Sequence, residues 1–281
     1  MKIVTTVFQL KQEISQHQAG DKTIGFVPTM GFLHEGHLKL LAQARAENEI
    51  VVLSIFVNPL QFGPNEDFDS YPRNLEKDKE LARLAKVDLI FAPSAEEMYQ
   101  GEPSYTVRVH DRINVLCGKT RVGHFDGVAT VLTKLFHLVQ PTSAYFGMKD
   151  AQQVAVVHGL VEQFHFPLKI VPVDTIREED GLAKSSRNVY LTSSERSQAP
   201  AIYKGLLIGK ELVLQGERTK QKIVDEVSSY IMQHTSGKID YVEVLSYPEL
   251  INHEVISGKL IIAVALKFTK VRLIDNITID I

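Results

Sequence analysis

Five short apolar runs recur along the first two thirds of the chain, and the stretches between them have helical character. The runs lie at residues 24–27, 51–57, 89–92, 144–146 and 170–173. Strand-like runs that alternate with helices are typical of βαβ units, whose strands form a parallel sheet. This pattern therefore predicts an α/β fold, because it leaves few other ways to bury the runs.

One of the intervening stretches carries an apolar stripe. Between residues 127 and 140, apolar side chains recur at helical spacing, and Pro141 ends the pattern. The stripe predicts a helix that packs one face on the sheet. A similar helical stretch at 37–48 directly follows the first run, which is the position where open α/β sheets bind ligands. We therefore predict a Rossmann-like parallel sheet.

The pattern changes after about residue 176. Two long helical patterns, at 194–214 and 219–234, follow one another without a strand between them. Strand candidates at 241–245, 259–268 and 271–279 are close enough in sequence to pair antiparallel. We predict two domains, a Rossmann-like domain over 1–176 and a smaller α+β lid domain over 177–281, with the polar segment 177–188 as a hinge.

Composition excludes several classes of function. A hydrophobic fraction of 44% and a net charge of −3 are those of an ordinary globular protein and provide no basic surface for nucleic acid. The longest apolar run, 260–266, is too short to cross a bilayer and predicts a buried strand. The N-terminus lacks the apolar core of a signal peptide, and a single cysteine, Cys117, suits a reducing compartment. We expect a cytoplasmic protein that binds neither membranes nor nucleic acids.

The segment 28–37, Pro-Thr-Met-Gly-Phe-Leu-His-Glu-Gly-His, lies between the first strand and the following helix. Gly31 and Gly36 permit close approach of a ligand to the backbone, and a helix that starts at His37 offers N–H groups. His34 and His37 can donate hydrogen bonds to a phosphate. The segment therefore predicts a site for the phosphates of a nucleotide, where the imidazoles stabilise charge on the α-phosphate.

Two other interpretations of the histidines compete with this one. A lone pair of histidines three residues apart is usually found on a surface at the start of a helix, but the surrounding glycines favour a binding site. A zinc protease needs His-Glu-x-x-His, whereas residues 34–37 are His-Glu-Gly-His, one residue short. We predict no protein-bound metal.

The segment 28–37 resembles the His-x-x-Gly-His signature of the nucleotidyltransferase superfamily, which includes class I aminoacyl-tRNA synthetases. Its longer form is similar to that of the pantothenate synthetase (pantoate–β-alanine ligase) family. Four later segments agree in order and spacing: 57–63 (Val-Asn-Pro-Leu-Gln-Phe-Gly), 123–128 (Gly-His-Phe-Asp-Gly-Val), 146–153 (Phe-Gly-Met-Lys-Asp-Ala-Gln-Gln) and 185–188 (Ser-Ser-Arg-Asn). The resemblance covers essentially the whole chain.

The resemblance implies an ATP-dependent ligase. It would condense (R)-pantoate with β-alanine through a pantoyl-adenylate, giving pantothenate, AMP and pyrophosphate. The first domain would bind ATP and pantoate. The resemblance also implies a homodimer and Mg²⁺ that accompanies ATP.

The resemblance implies roles for individual residues. His37, His34 and Lys149 would be catalytic, Gln61 and Gln153 would bind pantoate, and Gln61 would also bind β-alanine. The residues expected to bind ATP are Met30, Gly31, Phe32, Leu33, His34, Glu35, Gly36, His37, Gly147, Met148, Lys149, Asp150, Ile176, Lys184, Ser185, Ser186 and Arg187.

The residue types suit these roles. Glutamine amides can bind a hydroxy acid, and a lysine after a strand can neutralise phosphate. Ser185, Ser186 and Arg187 on a loop can enclose a triphosphate. An isolated glutamine, lysine or loop serine is more often a solvated surface residue.

Three further residues receive other expectations. Asp126 is predicted to cap the helix that follows it. Cys117, where many relatives carry glutamate, is predicted to be a buried packing residue rather than a nucleophile. Arg121 has two possible roles, ordering of the active site or a subunit contact, and is left outside the site.

Two other functions compete with the ligase. A nucleotidyltransferase that leaves AMP on its product has the same histidine signature, but the segments around Gln61 and Gln153 oppose it. A nucleotide- or RNA-binding module without catalysis is opposed by the acidic net charge.

Overall fold

The computed structural model describes residues 1–64, 66 and 68–281. The strands are β1 (Lys2–Val4), β2 (Ile24–Thr29), β3 (Ile50–Ile55), β4 (Leu89–Phe91), β5 (Ser143–Gly147), β6 (Lys169–Val173), β7 (Lys238–Ser246), β8 (Lys259–Lys267) and β9 (Arg272–Asp280). The α-helices are α1 (Val7–Gln18), α2 (Glu35–Glu47), α3 (Leu75–Leu84), α4 (Ala95–Tyr99), α5 (His124–Val139), α6 (Ala151–Gln163), α7 (Ser193–Gln198), α8 (Ala201–Leu214) and α9 (Lys220–His234).

The chain divides into two compact units. Unit 1 comprises Met1–Asp111, Arg121–Gly147 and Val156–Val173, and unit 2 comprises Arg112–Thr120, Met148–Ala155 and Asp174–Ile281. The last division falls three residues before the boundary expected at 176/177. The segments 112–120 and 148–155 belong to unit 2, although they lie within the first expected domain. The assignment of separate binding and lid functions to 1–176 and 177–281 stays a prediction.

Within the described residues, unit 1 contains a six-stranded sheet in the order β1-β4-β3-β2-β5-β6, and every pair of neighbours is parallel. From β2 the chain winds outward through β3 and β4 on one side and through β5 and β6 on the other. This is the doubly wound order of a Rossmann-like fold, with its switch point between β2 and β5. The predicted α/β class is confirmed.

Apolar residues on both faces of the strands build the core of unit 1. In β3, Ile50 to Ser54 are all buried, as expected for a parallel strand that helices cover on both sides. The stripe of α5 is buried as predicted, with Val128, Val131, Leu132 and Leu135 inside, and the helix ends one residue before Gln140. Strand β1 was not predicted, because a three-residue edge strand with one buried side chain leaves little sequence signal.

Unit 2 is an α+β arrangement. Strands β7, β8 and β9 form an antiparallel sheet, as predicted, and the apolar run 260–266 is the buried centre of β8. Helices α8 and α9 pack on this sheet through a core that includes Leu206, Val227 and Ile262.

The helix predicted over 194–214 was wrong as a single helix. The structure has α7 and α8 instead, and Pro200 stands at the N-terminal cap of α8. Proline has no backbone N–H and clashes with the preceding turn, so a helix rarely continues through it. Among the described residues, no helix combines the length and apolar character needed to cross a membrane.

Candidate active site

The corner between β2 and α2 is a tight turn at the carboxyl end of the sheet. Gly31 and Phe32 both have positive φ, +85° and +53°. A Cβ at residue 31 would lie 2.9 Å from Cγ2 of Ile55, so glycine is required by conformation and by space. The Thr29 hydroxyl accepts the Gly31 N–H at 3.2 Å and donates to the Ser54 carbonyl at 2.8 Å. The corner is thus tied to β3.

His34 and His37 form the start of α2. The Gly36 N–H donates to Nδ1 of His34 at 3.1 Å, and the His34 N–H donates to Nδ1 of His37 at 3.2 Å. The two rings lie 4.2 Å apart between centroids. The helix therefore begins at Glu35 with His34 as its cap, two residues before the start predicted at His37. Histidine is not among the usual capping residues, so the earlier start has no recognisable signal in the sequence.

These hydrogen bonds assign the tautomer of both rings. A ring nitrogen that accepts a hydrogen bond carries no hydrogen, so the hydrogen of each neutral imidazole is on Nε2. Both rings therefore present Nε2–H as a donor. The Gly36 N–H is occupied by the His34 ring.

Gly36 is needed for the His34 ring. A Cβ at residue 36 would lie 2.8 Å from Cε1 of His34 and would displace the imidazole. Gly36 therefore makes room for the ring of His34, two residues before it. Close approach of a ligand to its backbone stays a prediction.

Asp78, on α3, fixes the turn by hydrogen bonds, and the sequence analysis did not identify it as a site residue. Its Oδ2 accepts the Phe32 N–H at 2.9 Å and its Oδ1 accepts the Leu33 N–H at 2.7 Å. The side chain is buried. Hydrogen bonds to an ionised acceptor are about twice as strong as neutral ones, so this carboxylate is well suited to fix a turn with two positive φ angles.

Gln61 ends the 3-10 turn Pro59–Gln61, which follows β3, and its side chain is buried. Its Oε1 accepts from Nδ2 of Asn58 at 3.2 Å, and its Nε2 lies 3.4 Å from Sδ of Met30. Unit 1 thus brings the predicted pantoate ligand beside the β2–α2 corner. Asn58, also missed in the sequence, is buried and orients the amide.

The turn that carries Gln61 packs directly on α5. A Cβ at Gly127 would lie 2.2 Å from the Leu60 carbonyl oxygen, so only glycine allows this contact. Nδ2 of Asn58 also donates to the Gly127 carbonyl at 3.1 Å. The motif that contains Gly127 and the motif that contains Gln61 therefore occur together because they pack directly on each other.

Asp126 does not cap α5, so that prediction was wrong. The helix begins at His124 after Gly123, whose φ is +80°, and no side chain caps it. Oδ1 of Asp126 instead accepts the Val109 N–H at 2.8 Å and anchors the preceding segment of chain.

The prediction that Cys117 is buried is confirmed, and its thiol is not in a disulfide. The prediction that it is not a nucleophile stays a prediction.

In unit 2, Lys149 and Asp150 lie on the 3-10 turn Met148–Asp150, which follows Gly147 at the end of β5. Nζ of Lys149 is 3.9 Å from Oδ1 of Asp150. Asn276 of β9 donates through Nδ2 to the carbonyls of Met148 and Lys149, at 2.9 and 3.0 Å. Asn276 was not identified in the sequence, because it is 127 positions from Lys149.

The loop 176–187 brings together the other predicted ATP ligands of unit 2. The Lys184 N–H donates to the Ile176 carbonyl at 2.9 Å, and Arg177 forms an antiparallel bridge with Ala183. Ser185 follows directly and caps the 3-10 turn Ser186–Tyr190 by accepting the Arg187 N–H at 3.3 Å. Gln153 belongs to α6 and is half-buried.

A buried ion pair anchors the same loop. The two Nη atoms of Arg177 donate to the carboxylate of Asp275 at 2.6 and 3.0 Å. Burial raises the pKa of Asp275, and the hydrogen bonds and charge of Arg177 oppose this. Loss of Arg177 would therefore leave a carboxylate buried without its cation, which is a costly arrangement.

Known proteins resemble this chain over almost its whole length. The model of the pantoate–β-alanine ligase family matches residues 2–278. Pantothenate synthetase of Geobacillus sp. (strain WCH70) is 61% identical over 99% of both chains, and that of Bacillus subtilis (strain 168) is 59% identical over 100% of this chain and 98% of its own.

Solved structures agree with these matches. Pantothenate synthetase of Thermus thermophilus has a TM-score of 0.93 and 44% identity, over 99% of both chains. The ligase of Francisella tularensis, described as complexed with β,γ-ATP and β-alanine, has a TM-score of 0.78 and 33% identity, over 99% of this chain and 97% of its own. By these matches, which span almost its whole length, the chain belongs to the pantoate–β-alanine ligase family.

Proposed function

We propose that this protein condenses (R)-pantoate with β-alanine at the expense of ATP, giving pantothenate, AMP and pyrophosphate. The observation that carries the proposal is the β2–α2 corner, where backbone hydrogen bonds turn two imidazoles so that each presents Nε2–H. Two such donors suit an α-phosphate whose charge grows during the reaction. The match to the ligase family over residues 2–278 supports this substrate class.

In the first step, a carboxylate oxygen of pantoate attacks the α-phosphorus of ATP. The new P–O bond forms as the bond to the β-phosphate oxygen breaks, which yields pantoyl-adenylate and pyrophosphate. His34 and His37 donate to α-phosphate oxygens, and Lys149 neutralises phosphate charge. The protein needs no covalent nucleophile, since alignment and electrostatic stabilisation supply the acceleration.

In the second step, the free amine of β-alanine attacks the acyl carbon. The C–O bond to AMP breaks, and the nitrogen gives up a proton as the amide forms. We assign the amides of Gln61 and Gln153 to pantoate, with Gln61 also in contact with β-alanine. The buried position of Gln61 beside Met30 supports a role in excluding water from the activated acyl group.

We further propose that the predicted ATP ligands on the corner 30–37, on 147–150, and at Ile176 and 184–187 bind this nucleotide. Arg187 and Lys184 supply positive charge, and Asp150 accepts from ribose hydroxyls. Mg²⁺ enters with ATP as part of the substrate and is coordinated by phosphate oxygens. Among the described residues, there is no group of three or more His, Cys, Asp or Glu side chains arranged to hold a metal ion.

Two expectations complete the proposal. We propose that the protein acts as a homodimer, which light scattering on the purified protein tests directly. We also propose a cytoplasmic location, where reducing conditions keep the free thiol of Cys117 unmodified. Cell fractionation tests that location.

The deciding experiment measures pyrophosphate and AMP release with Mg-ATP, pantoate and β-alanine, and omits each substrate in turn. Pyrophosphate release should require pantoate, and AMP release should further require β-alanine. Adenylated product in place of free AMP would contradict the ligase and favour an adenylyltransferase. Turnover of ATP without pantoate would contradict both steps.

A further inference from the structure

Arg121 is at the centre of a cluster in unit 1 for which the proposed reaction has no role. Its Nε and Nη2 donate to the two carboxylate oxygens of Glu66 at 2.7 and 2.5 Å. This is the bidentate geometry that gives an arginine–carboxylate pair a fixed orientation. Burial raises the pKa of Glu66, but the hydrogen bonds and charge of Arg121 oppose it, and the pKa is lowered overall.

The same guanidinium also orients His124. Nη1 of Arg121 is 2.9 Å from Nε2 of His124, and Nδ1 of His124 is 2.8 Å from the Gln61 carbonyl oxygen. Arginine can only donate, so Nε2 of His124 accepts and its hydrogen is on Nδ1. Nδ1–H then donates to the Gln61 carbonyl. The hydrogen bonds run in one direction, from Arg121 through a neutral imidazole to the backbone of Gln61.

We propose that Arg121 is a positioning residue for Gln61, held in place by Glu66 and acting through His124. Nη2 of Arg121 also lies 3.4 Å from the Gln61 carbonyl, so two donors fix this peptide. The backbone position sets where the Gln61 amide points. This inference rests on the proposed function, because it assigns Arg121 to the part of the site that binds pantoate and β-alanine.

The proposal predicts a selective effect on substrates. In Arg121→Ala, the Michaelis constants for pantoate and β-alanine should rise about tenfold, the scale expected when a hydrogen bond to a charged group is lost. The Michaelis constant for ATP should change less than twofold. A purely structural arginine would lower stability without this difference between substrates.

Arg45→Ala is the matched control. The side chain of Arg45 is 26% exposed, and that of Arg121 is 25% exposed. Arg45 also forms an ion pair, with Asp88 at 2.7 Å. It also belongs to unit 1 but does not contact the turn that carries Gln61. Both variants should lose similar amounts of thermal stability, and Arg121→Ala alone should weaken pantoate binding.

A double-mutant cycle with Gln61→Ala tests whether Arg121→Ala affects pantoate binding through Gln61. Once the Gln61 side chain is gone, adding Arg121→Ala should raise the pantoate Michaelis constant less than twofold further. Full additivity of the two changes would overturn the inference. If Arg121→Ala does not fold, Arg121→Lys and Glu66→Gln replace it, and normal pantoate binding in both would also overturn it.

Failure of the inference is distinguishable from failure of the proposed function. A wild-type protein without pantoate-dependent pyrophosphate release would contradict the function itself. An active wild type that loses pantoate affinity in Gln61→Ala, while Arg121→Ala behaves like Arg45→Ala, would contradict only the positioning role.

Discussion

The backbone N–H of His34 donates to Nδ1 of His37 over 3.2 Å, so the two histidines of the corner are linked through main chain and ring. His34 accepts from Gly36 in the same way, over 3.1 Å. Each Nδ1 thus stabilises the start of α2, and each Nε2–H is the donor of its ring. In the proposed mechanism, structural and chemical functions therefore belong to different atoms of the same side chain.

This separation predicts losses of different size for two amide substitutions at His37. Glutamine places an N–H donor near the position of Nε2, whereas asparagine places an acceptor near the position of Nδ1. We expect His37→Gln to slow adenylate formation roughly tenfold. His37→Asn should slow it roughly 10²–10³-fold, which is the range found when a donor to a developing charge is lost. Single-turnover release of pyrophosphate measures both.

The stability of the same variants should follow the reverse order. His37→Asn keeps the acceptor for the His34 N–H and should unfold at a higher temperature than His37→Gln. If His37→Asn were instead the more active variant, the capping role would explain the histidine and the proposed donor role of Nε2–H would be wrong.

Asp78 provides the next prediction. Asp78→Asn keeps at most one acceptor for the N–H groups of Phe32 and Leu33, so one buried donor loses its partner. We expect the free energy of unfolding to fall by about 1–3 kcal/mol. Because the turn precedes His34, the rate of adenylate formation should also fall about tenfold. Urea unfolding and single-turnover kinetics measure these quantities.

Asp88→Asn is the control for Asp78. Oδ2 of Asp88 accepts the Val51 N–H at 2.8 Å and pairs with Arg45, away from the corner. Its replacement should destabilise unit 1 but leave the rate of adenylate formation within twofold of wild type. Equal rates in the two variants would show that Asp78 stabilises the fold alone.

The strands and the main helices could be predicted because their signal is local. Apolar residues that continue through β2 and β3 identify buried parallel strands, and a regular stripe identifies α5. The antiparallel strands β8 and β9 follow each other directly, so their pairing needs little long-range information. The corner 28–37 was also recognisable, because two glycines and two histidines within ten residues are informative without the rest of the fold.

The contacts that support the site could not be predicted in this way. Asp78 is 45 positions from Leu33, and Asn276 is 127 positions from Lys149. An aspartate within a helix or an asparagine within a strand has no feature that identifies such a partner. The sequence therefore indicates candidates for chemical roles, but it does not indicate the residues that hold them in place.

Asn276 leads to a prediction for unit 2. In Asn276→Asp, a carboxylate would replace the amide N–H groups that donate to the Met148 and Lys149 carbonyls, and like dipoles and charges would repel. We expect the Michaelis constant for ATP to rise about tenfold, corresponding to the loss of about 1.4 kcal/mol. Steady-state kinetics with varied ATP measures it.

Asn252→Asp is the charge-matched control, because Asn252 accepts from Nζ of Lys220 on an exposed surface and aspartate can do the same. That variant should bind ATP normally. An unchanged Michaelis constant in Asn276→Asp would contradict the role of Asn276 in holding the turn of Lys149.

Glu195 gives a prediction for the pH dependence of stability. Its carboxylate accepts the Thr192 N–H at 2.9 Å and the Thr269 N–H at 2.8 Å, and so links α7 to the turn between β8 and β9. These backbone hydrogen bonds lower the pKa of Glu195 to about 2, from an ordinary value of 4.5. A carboxyl whose pKa is lower in the folded state stabilises that state above its unfolded pKa.

We therefore expect Glu195→Gln to be less stable than wild type at pH 7 and to approach wild type as pH falls. The difference should be complete above about pH 4.5 and should disappear towards pH 2, because protonation removes the charge that the variant never had. Denaturant unfolding of both proteins between pH 7 and pH 3 measures this difference. Glu76→Gln, at an 82% exposed carboxylate paired with Lys79, should differ little from wild type at any pH. A constant difference between Glu195→Gln and wild type over this range would mean that shape, and not charge, makes Glu195 stabilising.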